Sequence, residues 1–391
     1  MKHLVVASLF AVAAAAVAPL PAQAAEPYAI NVILPLTGGG AFLGKGEQQS
    51  LQLAEKAVND TGGIKGRPRK FIFHDDETSP QVGVQLANTI LATKPKVVLG
   101  STLVAICRAI VPLLEGKKVS YCFSPGLHPA AGSYAFTASV STLDLIDAMV
   151  RYFRMKGWTR VAMLFSTDAT GQDAENGVKS VLARPENKDM KIVAAAHFNI
   201  SDVSVSAQME NIKAAKPQCF IAWSTGAPIA TIFRGMLQAG LDVPFATTDG
   251  NMTYAQMKQY ESFLPKQLYF PAGEYIARDT KGMPADVAKA HEEFYKRFAA
   301  VGAKPDEPSE LAWDAAMIVV HALRTLGPDA SAAQIHDLMV HLKGWAGIDG
   351  IYDFDKVPQR GLDVSNAVVT RWNAQEKTFQ VVSKPAGSPL D

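Results

Sequence analysis

An excess of charge of either sign is what this chain most plainly lacks. Of 391 residues, 38 are lysine or arginine and 37 are aspartate or glutamate, leaving a net charge of +1. A nucleic-acid surface needs a clear positive excess or a basic stripe, so no nucleic-acid partner is expected. Cysteine is nearly absent as well, with 3 residues, which excludes a disulfide-dense scaffold. Cys107, Cys122 and Cys219 are an odd set, so at least one is unpaired within the chain. Two readings stay open for them: buried free thiols in apolar segments, or one bridge between Cys107 and Cys122. A composition of 48% hydrophobic and 19% charged residues fits neither a disordered nor a collagen-like chain.

Catalytic and cofactor signatures are missing too. The stretch from Thr37 to Gly46 is glycine-rich, but Gly46 follows Lys45 where a phosphate-cradling loop needs Ser or Thr. Leu43 stands where a dinucleotide loop needs its third glycine. His291-Glu292-Glu293 begins like a zinc helix, yet Tyr295 replaces the second histidine. His336 and His341 do not share an i,i+4 face. Asp75-Asp76-Glu77 lacks the repeating oxygen pattern of a calcium loop and reads as a solvated turn. No Gly-x-Ser-x-Gly turn occurs. The expectation is a protein that is not an enzyme and carries no metal or cofactor.

What is present begins with an export pattern. Lys2 precedes an apolar run from Leu4 to Ala18, and Ala22-Gln23-Ala24 supplies small residues at the −3 and −1 positions of a cleavage site. Residues 1–24 therefore read as a signal peptide and the expected location is the periplasm. Lys2 is the one charged residue in that segment, so acidic and basic residues balance in the remainder.

From Ile30 to Phe123, short apolar strands alternate with helical patterns of period 3.6. Strands are expected at Ile30–Leu34, Phe71–Phe73, Val97–Leu99 and Val119–Phe123, with helices over 47–59, 82–91 and through Ile106, Ile110 and Leu114. The rhythm restarts after residue 140, with strands at 161–165, 192–196, 219–223 and 243–246 between helices. After residue 280, three helices (285–299, 311–326 and 330–341) come almost in series, followed by strands at 351–354 and 367–372. Strands separated by helices argue for mostly parallel sheets covered on both faces, in two α/β units.

Small ligands of open α/β sheets sit beyond the carboxyl ends of the strands, where helix starts present amides that attract anions. That rule selects the loops at 36–46, 100–104, 124–128, 166–171, 224–228 and 247–251. They offer the hydroxyls of Thr102, Ser124, Thr167, Ser224, Thr225 and Thr248, the flat or polar groups of Phe42, His128 and Trp223, and the carboxylates of Asp168 and Asp249.

The order of motifs resembles the periplasmic branched-chain amino-acid binding proteins of ABC transporters, with the type I periplasmic-binding fold. The matching stretches are Leu34-Pro35-Leu36-Thr37-Gly38, Ala57-Val58-Asn59-Asp60, Gly62-Gly63-Ile64-Lys65-Gly66, Asp75-Asp76, Val97-Val98-Leu99-Gly100-Ser101 and Ser124-Pro125-Gly126. The resemblance implies two doubly wound parallel-sheet lobes joined by three crossovers around a ligand cleft. The first lobe would hold 25–143 and 275–353, and the second 144–274 and 354–391, with the final strands shared between lobes as the alternative. It also implies capture of an amino acid or small organic carboxylate and docking on the membrane permease of an ABC importer, with a monomer as the expected state. A ligand sensor of the same fold is the other class.

Carried over residue by residue, the family's carboxylate-binding serine falls on Val104, leaving the amides of Val104 and Ala105. Its carbonyl and threonine contacts fall on Leu127 and His128, and its two cleft tyrosines on Phe42 and Thr170. Its ammonium-binding acid falls on Asp249. Thr78 and Leu103 stand where the family's occasional disulfide lies. With Thr102, Trp223 and Thr225 added from the strand-end loops, the candidate ligand set is Phe42, Thr102, Val104, Ala105, Leu127, His128, Thr170, Trp223, Thr225 and Asp249. Apolar groups at several of these positions keep aromatic or other organic carboxylates open beside amino acids.

Overall fold

The computed structural model describes residues 26–390; the expected signal segment, 1–24, lies outside them. Its first unit runs β1 (Tyr28–Leu34), α1 (Ala41–Asp60), β2 (Arg69–Asp75), α2 (Pro80–Ala92), β3 (Val97–Gly100), α3 (Val104–Leu114), β4 (Val119–Cys122) and β5 (Ala135–Thr137). The second runs α4 (Thr142–Met155), β6 (Arg160–Ser166), α5 (Ala169–Leu182), β7 (Lys191–Phe198), α6 (Ser206–Ala214), β8 (Cys219–Trp223), α7 (Ile229–Ala239), β9 (Phe245–Ala246), α8 (Tyr254–Gln259) and β10 (Leu268–Gly273). Then come α9 (Ala285–Ala299), α10 (Glu307–Leu326), α11 (Ala332–Val340), β11 (Lys343–Gly347), β12 (Gly350–Asp353), β13 (Ala367–Asn373) and β14 (Thr378–Val381).

The first sheet has the order β2-β1-β3-β4-β5 and every pairing is parallel. The second has the order β14-β13-β10-β9-β8-β6-β7, parallel from β7 to β10, with β13 and β14 added antiparallel. Both parallel portions share one winding, in which the order reverses beside the unit's first strand. That reversal opens a crevice at the carboxyl ends of β1 and β3, and of β6 and β8. The chain passes between the units three times: after β5, after β10, and between β12 and β13.

Burial explains the layers. Ile30, Val32, Leu34, Leu99 and Tyr121 of the first sheet share a core with Leu51 of α1 and Leu311, Ala315, Ile318 and Val319 of α10. The late helix α10 therefore packs beside strands formed from the first hundred residues. One face of the second sheet buries Leu164, Phe220 and Ala222 against Ile232 and Phe233 of α7. Its other face buries Met163, Phe165, Ile221 and Trp223 against Ile146, Met149 and Phe153 of α4. No helix among the described residues is long and apolar enough to cross a membrane.

Two expectations change, and the open reading of the cysteines closes on buried free thiols. The loop read over 36–46 ends early, because α1 begins at Ala41 and contains Gly44 and Gly46. A Cβ on Gly44 would stand 2.2 Å from the Pro35 carbonyl oxygen, so this glycine lets the helix lie against the loop before it. The acidic turn is only partly solvated. Asp76 is fully buried and accepts from the Ser101 hydroxyl (2.7 Å) and the Thr78 N–H (2.9 Å). Asp75 accepts from the Leu36 and Thr37 N–H groups at 2.9 and 3.2 Å, pinning the chain as it leaves β1. Finally, no bridge joins Cys107 to Cys122. All three cysteines are free and buried, and the Cys107 thiol donates to the Ser101 carbonyl (3.0 Å).

Candidate functional site

The carboxyl ends of the two sheets face each other across one cavity. From the first unit come Thr102, Leu103 and Val104 at the start of α3, Ser124, Pro125 and Gly126 after β4, and Leu43 of α1. From the second come Thr170 and Asp173 of α5, Trp223 and Thr225 at the end of β8, and Thr248, Asp249 and Gly250 after β9. Thr142 and Leu311 complete the wall. About 390 Å³ lies between these walls, open solvent included. The cleft is closed onto a small space.

Direct contacts hold the two sides together. The Ala227 N–H donates to the Gly39 carbonyl (3.0 Å), and a Cβ on Gly226, whose φ is +85°, would come within 2.4 Å of that same oxygen. Asp173 of α5 meets two side chains of the first unit through Oδ1, His128 Nε2 at 2.9 Å and Arg108 at 3.5 Å. Phe42 of α1 presents an edge to Tyr260, with ring centroids 6.0 Å apart.

Of the ten residues in the candidate ligand set, Thr102, Val104, Thr170, Trp223, Thr225 and Asp249 are brought together on the cavity wall. Four lie off it. Phe42 packs on the second unit's core, and Leu127 is buried with Cys107 and Cys122. Ala105 is half-buried in the first turn of α3. The His128 ring stands at the rim, turned to Asp173. Sequence reasoning missed Asp173, Thr142 and Leu311. Asp173 lies one residue beyond Gln172 in the first turns of α5, so extending the strand-end rule by one helical turn would have found it. Leu311 arrives from a helix far along the chain, and no local signal marks it.

Two acidic side chains, Asp249 and Asp173, line the cavity, and Asp249 is the more deeply buried. It follows β9 in a short 3₁₀ turn whose cap, Thr248, accepts from the Gly250 N–H and donates to Asp249 Oδ1. Asp249 is buried, and its Oδ2 has no hydrogen-bond partner of normal geometry. Glu307, at the start of α10, is its buried neighbour, and the two carboxyls face each other closely enough to share a proton. Burial pushes the Asp249 carboxyl above the usual range, opposed by the Thr248 hydroxyl and the Gly250 amide. Burial pushes Glu307 well above its range, and the charge of Asp249 adds to this. On the opposite wall no side chain caps α3 at Leu103. The N–H groups of Val104 and Ala105 have no carbonyl of their own helix to bond, and the helix dipole adds positive potential there. One wall therefore suits an anion and the other a cation.

Carboxyls also run from this site toward the crossings. Asp349 accepts the Tyr275 N–H (3.0 Å) just after β10, and Asp314 of α10 accepts the Ile348 N–H (2.8 Å) and the Tyr352 hydroxyl (3.0 Å). Burial, with Asp349 nearby, pushes Asp314 up to about 8. The same two causes push Glu274 up to about 7. No group of acidic, histidine or cysteine side chains among the described residues is arranged to hold a metal ion.

Residues 27–377 match the family model described as periplasmic binding protein. The chain belongs to that family. Among solved structures, an extracellular ligand-binding receptor from Rhodopseudomonas palustris superposes with a TM-score of 0.80 at 18% identity, covering 92% of this chain and 100% of that one. A Streptococcus pneumoniae branched-chain amino-acid transporter substrate-binding protein, solved in complex with isoleucine, superposes at 0.77 and 18%, covering 91% and 99%. At such identities the likeness is one of fold. Among curated relatives, the leucine-, isoleucine-, valine-, threonine- and alanine-binding protein of Pseudomonas aeruginosa is 23% identical over 248 residues, 62% of this chain and 65% of that protein. A Leu/Ile/Val-binding protein homologue of Brucella abortus is 35% identical over 89 residues, 23% of this chain and 24% of its own. The aligned portions thus span less than two thirds of these relatives. As a periplasmic binding protein, this chain shares the two-lobed α/β architecture read from its motifs.

Proposed function

We propose that this periplasmic binding protein captures an amino acid in its interlobe cavity and delivers it, as a monomer outside the cytoplasm, to the permease of an ABC importer. The observation that carries this reading is Asp249. It is a buried acidic side chain on the second-lobe wall of the cavity, whose first-lobe wall includes the uncapped start of α3. An α-ammonium on Asp249 and an α-carboxylate on the Val104 and Ala105 amides would satisfy both walls with one zwitterion. Hydroxyls of Thr102, Ser124, Thr225 and Thr248 supply further polar partners. Of the four residues behind the aromatic-carboxylate alternative, Phe42 and His128 stand off the wall, while Val104 and Trp223 line it. Trp223 alone keeps an aromatic surface there.

Function then needs no covalent chemistry. A solute that touches both lobes favours the closed arrangement by the free energy of those contacts, and the closed form is the one presented to the permease. The test is calorimetric and fluorescence titration with the proteinogenic amino acids and a set of aromatic acids, read through Trp223. Saturable binding of an amino acid at micromolar concentration is the expected result. Binding confined to aromatic acids, or to solutes without an ammonium, would replace this reading.

A further inference from the structure

Asp173 is the second carboxylate of the cavity. It stands on α5, half-buried, and its two oxygens have different surroundings. Oδ1 is engaged by His128 and Arg108 of the other lobe. Oδ2 is buried and has no hydrogen-bond partner. A Cβ placed on Gly126 would lie 3.1 Å from Oδ2 and 3.4 Å from the Thr142 hydroxyl oxygen. Asp173 Oδ2 and the Thr142 hydroxyl therefore lie close together beside the first-lobe wall, with Val104 Cγ2 packed 2.7 Å from the same point. The remaining wall there is Val104, Pro125 and Gly126, whose side chains carry no donor. A buried carboxylate oxygen without a donor is costly, and the bound solute is the group positioned to supply one.

Building on the amino-acid reading above, we propose that Asp173 is a specificity-determining residue, accepting a hydrogen bond from a hydroxyl on the side chain of the bound amino acid. Thr142 faces the same hydroxyl and can donate to it, so the pair selects a group that gives and takes a hydrogen bond. A methyl in that position satisfies neither, and leaves Oδ2 desolvated. The preferred solutes are hydroxylated amino acids, and wholly aliphatic ones of the same shape bind more weakly. Asp173 also joins the lobes through Oδ1, so recognition and closure meet on one side chain.

The experiment measures dissociation constants by calorimetry for isosteric pairs whose hydroxyl lies progressively farther from the α-carbon: threonine against valine, homoserine against norvaline, and 5-hydroxynorvaline against norleucine. The unaltered protein should favour the hydroxylated member of at least one pair by about 10- to 100-fold, as expected for a hydrogen bond to a charged acceptor. Asp173→Ala should abolish that preference, and Asp173→Asn, which keeps the shape and one acceptor, should retain part of it. His128→Ala removes an interlobe contact without touching Oδ2, so it should weaken both members of a pair equally. The inference is overturned if the aliphatic member binds as tightly in every pair, or if both Asp173 variants keep the preference. In those cases amino-acid capture itself stands. If no amino acid binds at all, the parent reading falls and takes this one with it.

Discussion

Asp249→Asn should move affinity and stability in opposite directions. Asparagine keeps the shape of the side chain and the acceptor that Thr248 addresses, but removes the charge. A bound ammonium would then be buried without its counter-ion, a loss of about 3–5 kcal/mol, which is roughly two to three and a half powers of ten in the dissociation constant. The protein without solute gains instead. Its buried Oδ2, set against the Glu307 carboxyl, becomes an amide that donates to Glu307 without needing a shared proton. Removing one such desolvated acceptor is worth about 1–3 kcal/mol. The gain depends on pH. The folded state holds the Asp249 carboxyl above its usual range, so the native protein binds the proton more readily than the unfolded chain. The associated stability is present below the ordinary carboxylate range and lost as pH rises through the folded value. The stabilising effect of the substitution should therefore be larger at pH 7 than at pH 4. Urea unfolding at both values and calorimetry with the preferred amino acid measure the two effects. Unchanged affinity, or a variant less stable than the parent at pH 7, would refute the reasoning.

Other outcomes follow from single features. Glu274, pushed up to about 7 beside Asp349, favours the folded state at pH 4 and loses that contribution as pH rises through 7; Glu274→Gln should flatten the urea midpoint between pH 5 and 7.5, and an unaltered slope would remove that role. Gly226→Ala puts a methyl within 2.4 Å of the Gly39 oxygen at a positive φ, so it should oppose closure and weaken solute binding about tenfold, read by calorimetry. The three thiols are buried and unbridged, so an aromatic disulfide reagent should react with none in the folded protein and with all after denaturation, and reductant should leave the melting temperature unchanged.

The alternation of strands and helices was legible because the central parallel strands are buried on both faces and most helices show one apolar side. Val97–Leu99 and Cys219–Trp223 are continuous apolar runs that the structure makes central strands. What escaped notice had local reasons. β10 contains Pro271 and Gly273, residues that argue against a strand in isolation, and it forms because β13 pairs along its side. β5 has three residues, too few for a period. Gly44 and Gly46 looked like loop residues and are instead helical residues at close contacts. In the site, residues at strand ends could be named in advance because winding order places them there. Asp173 lies one helical turn past the strand-end loop and needed only that extension, whereas Leu311 could not be named, since it arrives from a helix far along the chain. Phe42 and His128 were named from strand-end loops as well as from aligned positions, but their rings turn toward Tyr260 and Asp173.

The threefold passage of the backbone between the units bears on how the molecule is made. The second sheet takes its antiparallel strands, β13 and β14, from residues 367–381, while the first unit borrows α10 and α11 from beyond residue 306. Neither half is a continuous stretch of polypeptide. A chain emerging amino end first thus cannot complete its earlier half until most of its length has appeared. A protease cutting one connection would leave two pieces still interleaved, and maturation after export must be close to an all-or-nothing event.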